Sequence, residues 1–434
     1  MSSSIALRGS GTYERPVLSS WFYAAPRSAR SSVFLGLLGV VAPCLLALMA
    51  AGCGARTELL TVRAVLDAGS RRDGGDATTV QDAAAAPACR VAWSACQPGR
   101  ETTDVVVSGT ESGQLPDIAW DGRELLIAYG SETGNKVVGV SLTGTVLWRE
   151  PVGGTQWPRI TWNAALNVGV VVMDSGVRWL DSAGRINGPF VSATVPGSQL
   201  YGAAIPTRRG FTVLSGTNAY AIAPELYVAA VGPTPGPRVD FLLATNGAPR
   251  SPPEFTTGAD GLATYVVSTV WHSMRGDFFP VAPDGVIQPA IPLDMHLSPS
   301  SHVAGVAERN GIAFVLSATT TSQLVLNTVT NDVVSDPLVL DFTAPRANSG
   351  HLARLGDDIL VAGERSSHTP GVQVGVLDMT ITGGIGARTV VGSTESQSPR
   401  LTVTPRGVAI VWNEPDHATS GLAAHLTVLE CCMP

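Results

Sequence analysis

Two stretches decide the fold: DVVVSGTESGQLPDIAW, residues 104–120, and RTVVGSTESQSPRLTV, residues 388–403. Nearly the same passage stands at both ends of the chain, running from an apolar strand through a Ser/Thr/Gly turn into a second apolar strand. Working outward from the first, PDIAWDGRELLIAYG (116–130) gives an alternating strand, a DG turn and another apolar strand, which is a hairpin by pattern. PRITWNAALNVGVVVMDSG from Pro158 and PRLTVTPRGVAIVWNEP from Pro399 repeat it. Fainter copies lie between them: YGAAIPTRRGFTVLSG, PEFTTGADGLATYVVST, HVAGVAERNGIAFVLSA and HLARLGDDILVAGE.

Taking Trp120, Trp162, Ile205, Thr257, Val306, Leu355 and Val403 as equivalent gives spacings of 42, 43, 52, 49, 49 and 48 residues. A steady period of that length built of strands means propeller blades. Two further strands follow each hairpin, clearest in VVGVSLTGTVLWREPV and VRWLDSAGRINGPFV, with Gly144, Gly184 and Gly285 supplying the tight turn between them. Residues 104–108 are then an outermost strand with no blade before it, while the last unit, residues 399–430, has three strands and lacks a fourth. Placing the orphan in the gap closes the ring and removes exposed edges. The expected fold is all-β: a seven-bladed propeller of four-stranded antiparallel blades over residues 89–434, closed by its N-terminal strand.

Composition agrees. The 434 residues are 44% apolar and 15% charged, with 47 Gly and 30 Pro spread along the chain, which suits short strands and turns. A net charge of -7 without a basic block argues against nucleic acid. Lys136 is the only lysine and is preceded by Asn, so a P-loop is excluded and Schiff-base chemistry has one candidate.

Ahead of the repeats, residues 33–51 form an uncharged apolar run preceded by Arg27 and Arg30 and interrupted by Pro43. Ala51 and Gly52 before Cys53 resemble the lipobox of bacterial lipoproteins, in which that cysteine is diacylated and becomes the mature N-terminus. The resemblance implies a signal peptide over residues 1–52 and a membrane anchor at Cys53, with a plain secretory signal as the alternative. Gly54, in place of Asp, implies outer-membrane sorting in a Gram-negative envelope. Residues 53–88, rich in Ala, Gly and Asp and poor in aromatics, read as a flexible tether.

Cys89 and Cys96 precede the orphan strand, and Cys431 and Cys432 follow the last one. If orphan and last strand pair antiparallel, the two cysteine pairs are neighbours, and a bridge between them would lock the ring in an oxidising compartment. Four cysteines allow three connectivities, of which Cys89 with Cys96 is a rival. The spacing lacks the CxxC pairs of zinc sites, so neither metal nor cofactor is expected.

No GxSxG elbow, HExxH, EF-hand loop or GxGxxG after a strand occurs. Propeller loops joining second to third strands, and those joining blades, share one face. Here they carry Glu132, His272, Glu364, Arg365, His368, Glu414, Asp416 and His417, where an acid, a base and a cation could converge. The plainer reading is solvated polar loops. Trp157 and Trp271, on loops, are candidate ligand contacts. Trp120, Trp148, Trp162 and Trp179, within strands, read as packing between blades. The Pro-rich residues 224–253 read as a protruding loop or a tolerated insertion.

Over residues 101–430 the chain resembles the divergent seven-bladed propellers of WD40 and kelch architecture. The WD of Trp120 and Asp121 falls on the inner hairpin, and the kelch GG doublet is missing. The resemblance therefore implies architecture and says nothing of activity. The leading expectation is a monomeric, envelope-anchored, non-enzymatic module that binds a protein or glycan. A hydrolase or lyase with a loop-built site at the channel mouth and a purely structural lipoprotein are the rivals.

Overall fold

The computed structural model describes residues 92–96, 102–154, 157–173, 176–194, 201–216, 226–236, 239–240, 242–243, 253–258, 260–269, 275–294, 302–319, 321–343, 350–365, 370–416 and 421–431. The signal, lipobox and tether of the sequence reading, with Cys53 and Cys89, lie outside these residues.

Seven four-stranded antiparallel blades form the ring. Their innermost strands are Gln114–Trp120, Arg159–Asn163, Tyr201–Thr207, Glu254–Thr257, His302–Arg309, Gly350–Leu355 and Gln397–Thr404, one per blade in chain order. Blades five and six are joined by one bridge, between Thr343 and Arg365. Within the Pro-rich stretch, Leu242–Leu243 forms the short fourth strand of blade three. Val239–Asp240 adds a parallel fifth strand to blade two.

Packing lies between blades. The second strand of blade one, Leu125–Gly130, is apolar throughout because it is covered on both sides. Leu125, Ile127 and Tyr129 join Val411 and Leu426 of blade seven, whereas Leu126 and Ala128 join Trp162 and Val171 of blade two. This alternation of period two sends successive side chains into opposite interfaces. The described buried apolar residues fall into seven such clusters, one for each blade interface. Trp148, Trp162 and Trp179 are buried in them. The indole of Trp148 donates to Glu124 Oε1 at 2.7 Å, and that of Trp179 to the Gly232 carbonyl at 3.0 Å.

The ring closes as the two matching stretches require. Thr102–Val106 pairs antiparallel with Gly421–Glu430, and Val106 lies opposite His425. Its strand begins two residues earlier than the sequence pattern suggests. Val107 N donates to Ala424 O at 2.8 Å, and Ala424 N to Ser108 Oγ at 3.1 Å, which carries the pairing past the last strand residue. A disulfide joins Cys96 to Cys431, 335 residues apart in sequence. Cys432 is outside the described residues. Just before Cys96 the short helix Trp93–Ala95 buries Trp93 in the core between blades six and seven, where its indole donates to Ala387 O at 3.0 Å.

A second feature explains why the two ends read alike. Leu115, Trp157 and Ser398 each precede the proline that opens a first strand, and each has positive φ, at 47°, 57° and 55°. Side chains other than Gly adopt this conformation at a cost of about 1–2 kcal/mol. At two of the three, a side chain from the preceding blade's second strand holds the turn. Leu115 N donates to Asn413 Oδ1 at 2.8 Å, and Ser398 N to Glu364 Oε1 at 2.9 Å.

Candidate functional site

The first strands bring their charges to the axis. Directly after Pro116, Pro158, Pro253 and Pro399 stand Asp117, Arg159, Glu254 and Arg400, from blades one, two, four and seven. Arg159 clamps Glu254 with both terminal nitrogens, at 3.0 and 2.8 Å, while its Nε donates to Asp117 Oδ2 at 3.2 Å. Arg400 reaches the same Glu254 at 3.1 Å. Asp117 also accepts from Ile160 N at 2.9 Å, and His351 Nδ1 accepts from Leu401 N at 3.2 Å, so each ties its blade to the next.

This layer fixes the protonation states. Burial works against the Glu254 carboxylate, yet Arg159 and then Arg400 hold its pKa down to about 2. Burial likewise opposes the charge on Arg159, but Glu254 and Asp117 outweigh it and keep its pKa raised. His351 is driven to about 3, first by burial and then by the positive charge of Arg400. It is therefore neutral at physiological pH, with its Nδ1 lone pair occupied and its proton on Nε2. Arg400 is lowered by burial and by the neighbouring Arg159 cation.

Above this layer lies a cavity of about 550 Å³. Asp117, Arg159, Glu254 and His351 line one end of it. Its walls follow the first strands past Ile160, Thr161, Thr256, Leu401 and Thr402 to Gly258 and Gly356. Those glycines sit in the hairpins joining first to second strands, so the cavity runs toward that face of the ring. Among the described residues, the Ser131–Gly134 turn and the ends of the second strands at Arg365 and Asp416 lie away from those hairpins, at the other ends of the second strands.

Of the loop residues named in the sequence, those that are described do not line this cavity. Glu364 is buried beneath the turn of Ser398. Trp157 is half-buried in the connection between blades one and two. Glu132 is exposed in the Ser131–Gly134 turn. Glu414 accepts from Ser396 Oγ at 2.9 Å and from Trp412 Nε1 at 3.2 Å. Beside it, at the ring seam, His425 Nδ1 meets Asp104 Oδ1 at 2.7 Å, and ligand atoms of Asp104, Glu414 and His425 lie within 4.8 Å of one another. Burial opposes the His425 charge, but the bond to Asp104 and the charges of Asp104, Glu414 and Asp416 raise its pKa. Arg365 is described only as strand backbone, and Trp271, His272, His368 and His417 lie outside the described residues. Sequence reasoning missed the axial layer. Its signal was present: a charged residue directly after proline, at or near the start of the first strand, in four of the seven units.

No protein-family model matches the chain, and no curated protein matches it. Among solved structures, a streptogramin B lyase is similar at 13% identity and TM-score 0.49, covering 75% of this chain and 97% of that one. The periplasmic gluconolactonase PpgL of Pseudomonas aeruginosa is similar at 15% identity and TM-score 0.43, covering 64% of this chain and 85% of that one. A protein of unknown function from Dyadobacter fermentans gives 12% identity and TM-score 0.40, covering 77% of this chain and all of that one.

Proposed function

We propose that this chain is an exported propeller, anchored to the bacterial outer membrane through lipid on Cys53, which binds a small ligand in its axial cavity without transforming it. The protonation states at the axis carry the preference for binding. A general base needs an available lone pair with a pKa near the working pH. Glu254 has both oxygens in ion pairs and a pKa of about 2, and His351 is neutral with its acceptor nitrogen engaged. The cavity volume falls within the range of small-molecule sites, roughly 300–1,000 Å³.

A hydrolase or lyase is the second reading, favoured by one fact: a histidine and two carboxylates from different blades do meet at the axis. A fragment screen on the purified chain, read by both ligand-observed and protein-observed NMR, separates the two. Fragments that are displaced together, perturb Thr256 and Phe255, and are recovered unchanged support binding. Steady conversion of a cavity-bound fragment would install the catalytic reading. The anchor has its own test, since labelled palmitate should enter the wild-type chain and not Cys53→Ser, with the variant leaving the membrane fraction. Equal labelling of both would remove the lipid anchor.

A further inference from the structure

We infer that the axial cavity is built for a neutral, hydroxyl-rich ligand: an uncharged mono- or disaccharide. The inference rests on the binding reading above and narrows the ligand class of that site.

Charge is the first constraint. The formal charges of Asp117, Arg159, Glu254 and Arg400 cancel at the layer and His351 adds none, while the other charged lining residue, Arg354, is exposed and donates through Nε to Gly356 O at the far end of the cavity. A net ion seated there would give up its hydration without gaining an unpaired counter-charge, which is costly. An apolar ligand fails for the opposite reason. It would dehydrate the donors that the layer leaves over, and an unmet buried polar group costs about 1–3 kcal/mol. Arg159 uses its Nε and one N–H of each terminal nitrogen on Asp117 and Glu254, so each terminal nitrogen keeps a second N–H. The Nε2–H of His351 is a further donor, and Asp117 and Glu254 are acceptors at the same end of the cavity.

A hydroxyl group both donates and accepts at one atom, so it suits a carboxylate and a guanidinium side by side. The walls continue the theme. Thr161, Thr256 and Thr402 bring hydroxyls to the walls, and half-buried Phe255 an apolar edge for the C–H face of a sugar ring, while Ile160 and Leu401 back the walls from the blade interfaces. Donors, acceptors and apolar patches thus alternate around one small space. That mixture matches carbohydrate better than a metabolite carrying either a net charge or a long apolar tail.

Saturation-transfer NMR and calorimetry on the full-length chain test this with maltose, cellobiose and N,N′-diacetylchitobiose against glucuronate and glucosamine. At least one neutral disaccharide should bind, and each charged sugar should bind at least tenfold more weakly. The double variant Thr256→Val with Thr402→Val should weaken the neutral sugar about tenfold while keeping the wild-type melting temperature. If that pair melts early, the single variant Thr402→Val, at a half-buried position, carries the same expectation. Charged sugars binding as well as neutral ones would overturn the inference, as would neutral-sugar affinity indifferent to the valines. If no sugar binds while cavity-directed fragments do, the carbohydrate class is overturned and the binding module stands. Failure of both would remove the binding reading as well.

Discussion

At the scale of single residues, Glu254 is the keystone of the axis because two buried guanidiniums share its carboxylate. Glu254→Gln keeps the shape and removes the charge, leaving two cations with only Asp117 to offset them. Breaking a buried pair from one side typically costs about 3–5 kcal/mol, and denaturant unfolding should show a loss of that order. An unchanged midpoint would mean that the layer is wetter than its geometry implies. Gly139 makes a different point. A Cβ there would fall 2.0 Å from Trp148 Nε1, so the bare backbone is what lets that indole lie across the strand to reach Glu124. Gly139→Ala should cost about 1–3 kcal/mol and shift the tryptophan emission as Trp148 is displaced. Gly139 gave no sign of this in the sequence, and Glu254 gave one only as a member of the proline–charge pattern. A glycine in a strand and a glutamate after a proline become decisive only when another strand is laid against them.

Among the elements, the seam between the chain's two ends is the one most exposed to failure. Its strand pair joins Thr102–Val106 to Gly421–Glu430, and the Cys96–Cys431 bridge links positions 335 residues apart. Removing a native disulfide commonly costs about 2–5 kcal/mol. Cys96→Ser should therefore lower the unfolding midpoint and open Thr102–Val106 to hydrogen exchange before other strands. Mass mapping of unreduced peptides should recover Cys96 linked to Cys431. The His425–Asp104 contact at this seam has a definite sign with pH. Its raised folded pKa means that protonated His425 stabilises the fold fully below its ordinary value of 6.5 and ceases to do so as pH rises through the folded value. His425→Gln should thus destabilise the protein more at pH 5 than at pH 8, read by thermal melts at both. The antiparallel closure was legible from the repeated passage and the orphan strand. The left-handed turns before Pro116, Pro158 and Pro399 were not, because nothing in Leu115, Trp157 or Ser398 favours positive φ.

Over the whole molecule, acid should act on the axis before it acts on the surface. His351 is neutral in the fold with a pKa of about 3 against an ordinary 6.5, so its contribution is complete above 6.5 and is lost as pH falls toward 3. Glu254, ordinarily near 4.5 and held at about 2, adds a loss over the range below 4.5. Stability should decline from pH 6.5 downward, steepening below 4.5. His351→Asn can keep the hydrogen bond to Leu401 without titrating, and it should flatten the upper part of that decline. A pH profile identical to wild type would show that His351 is not the group responsible.

The sequence by itself determined the ring. Alternation of apolar residues, turn glycines and a steady repeat are local properties, and closure follows from an orphan strand and a matching gap. The tertiary structure decided where the charges meet. Asp117, Arg159, Glu254, His351 and Arg400 are spread over nearly three hundred residues, and only the closed ring gathers them around the axis. It also decided which face carries the cavity. The loops richest in His, Glu and Asp lie at one end of the second strands, whereas the space around the axis runs toward the other. The reason is geometric: strand order is written along the chain, but convergence on an axis is a property of seven blades at once.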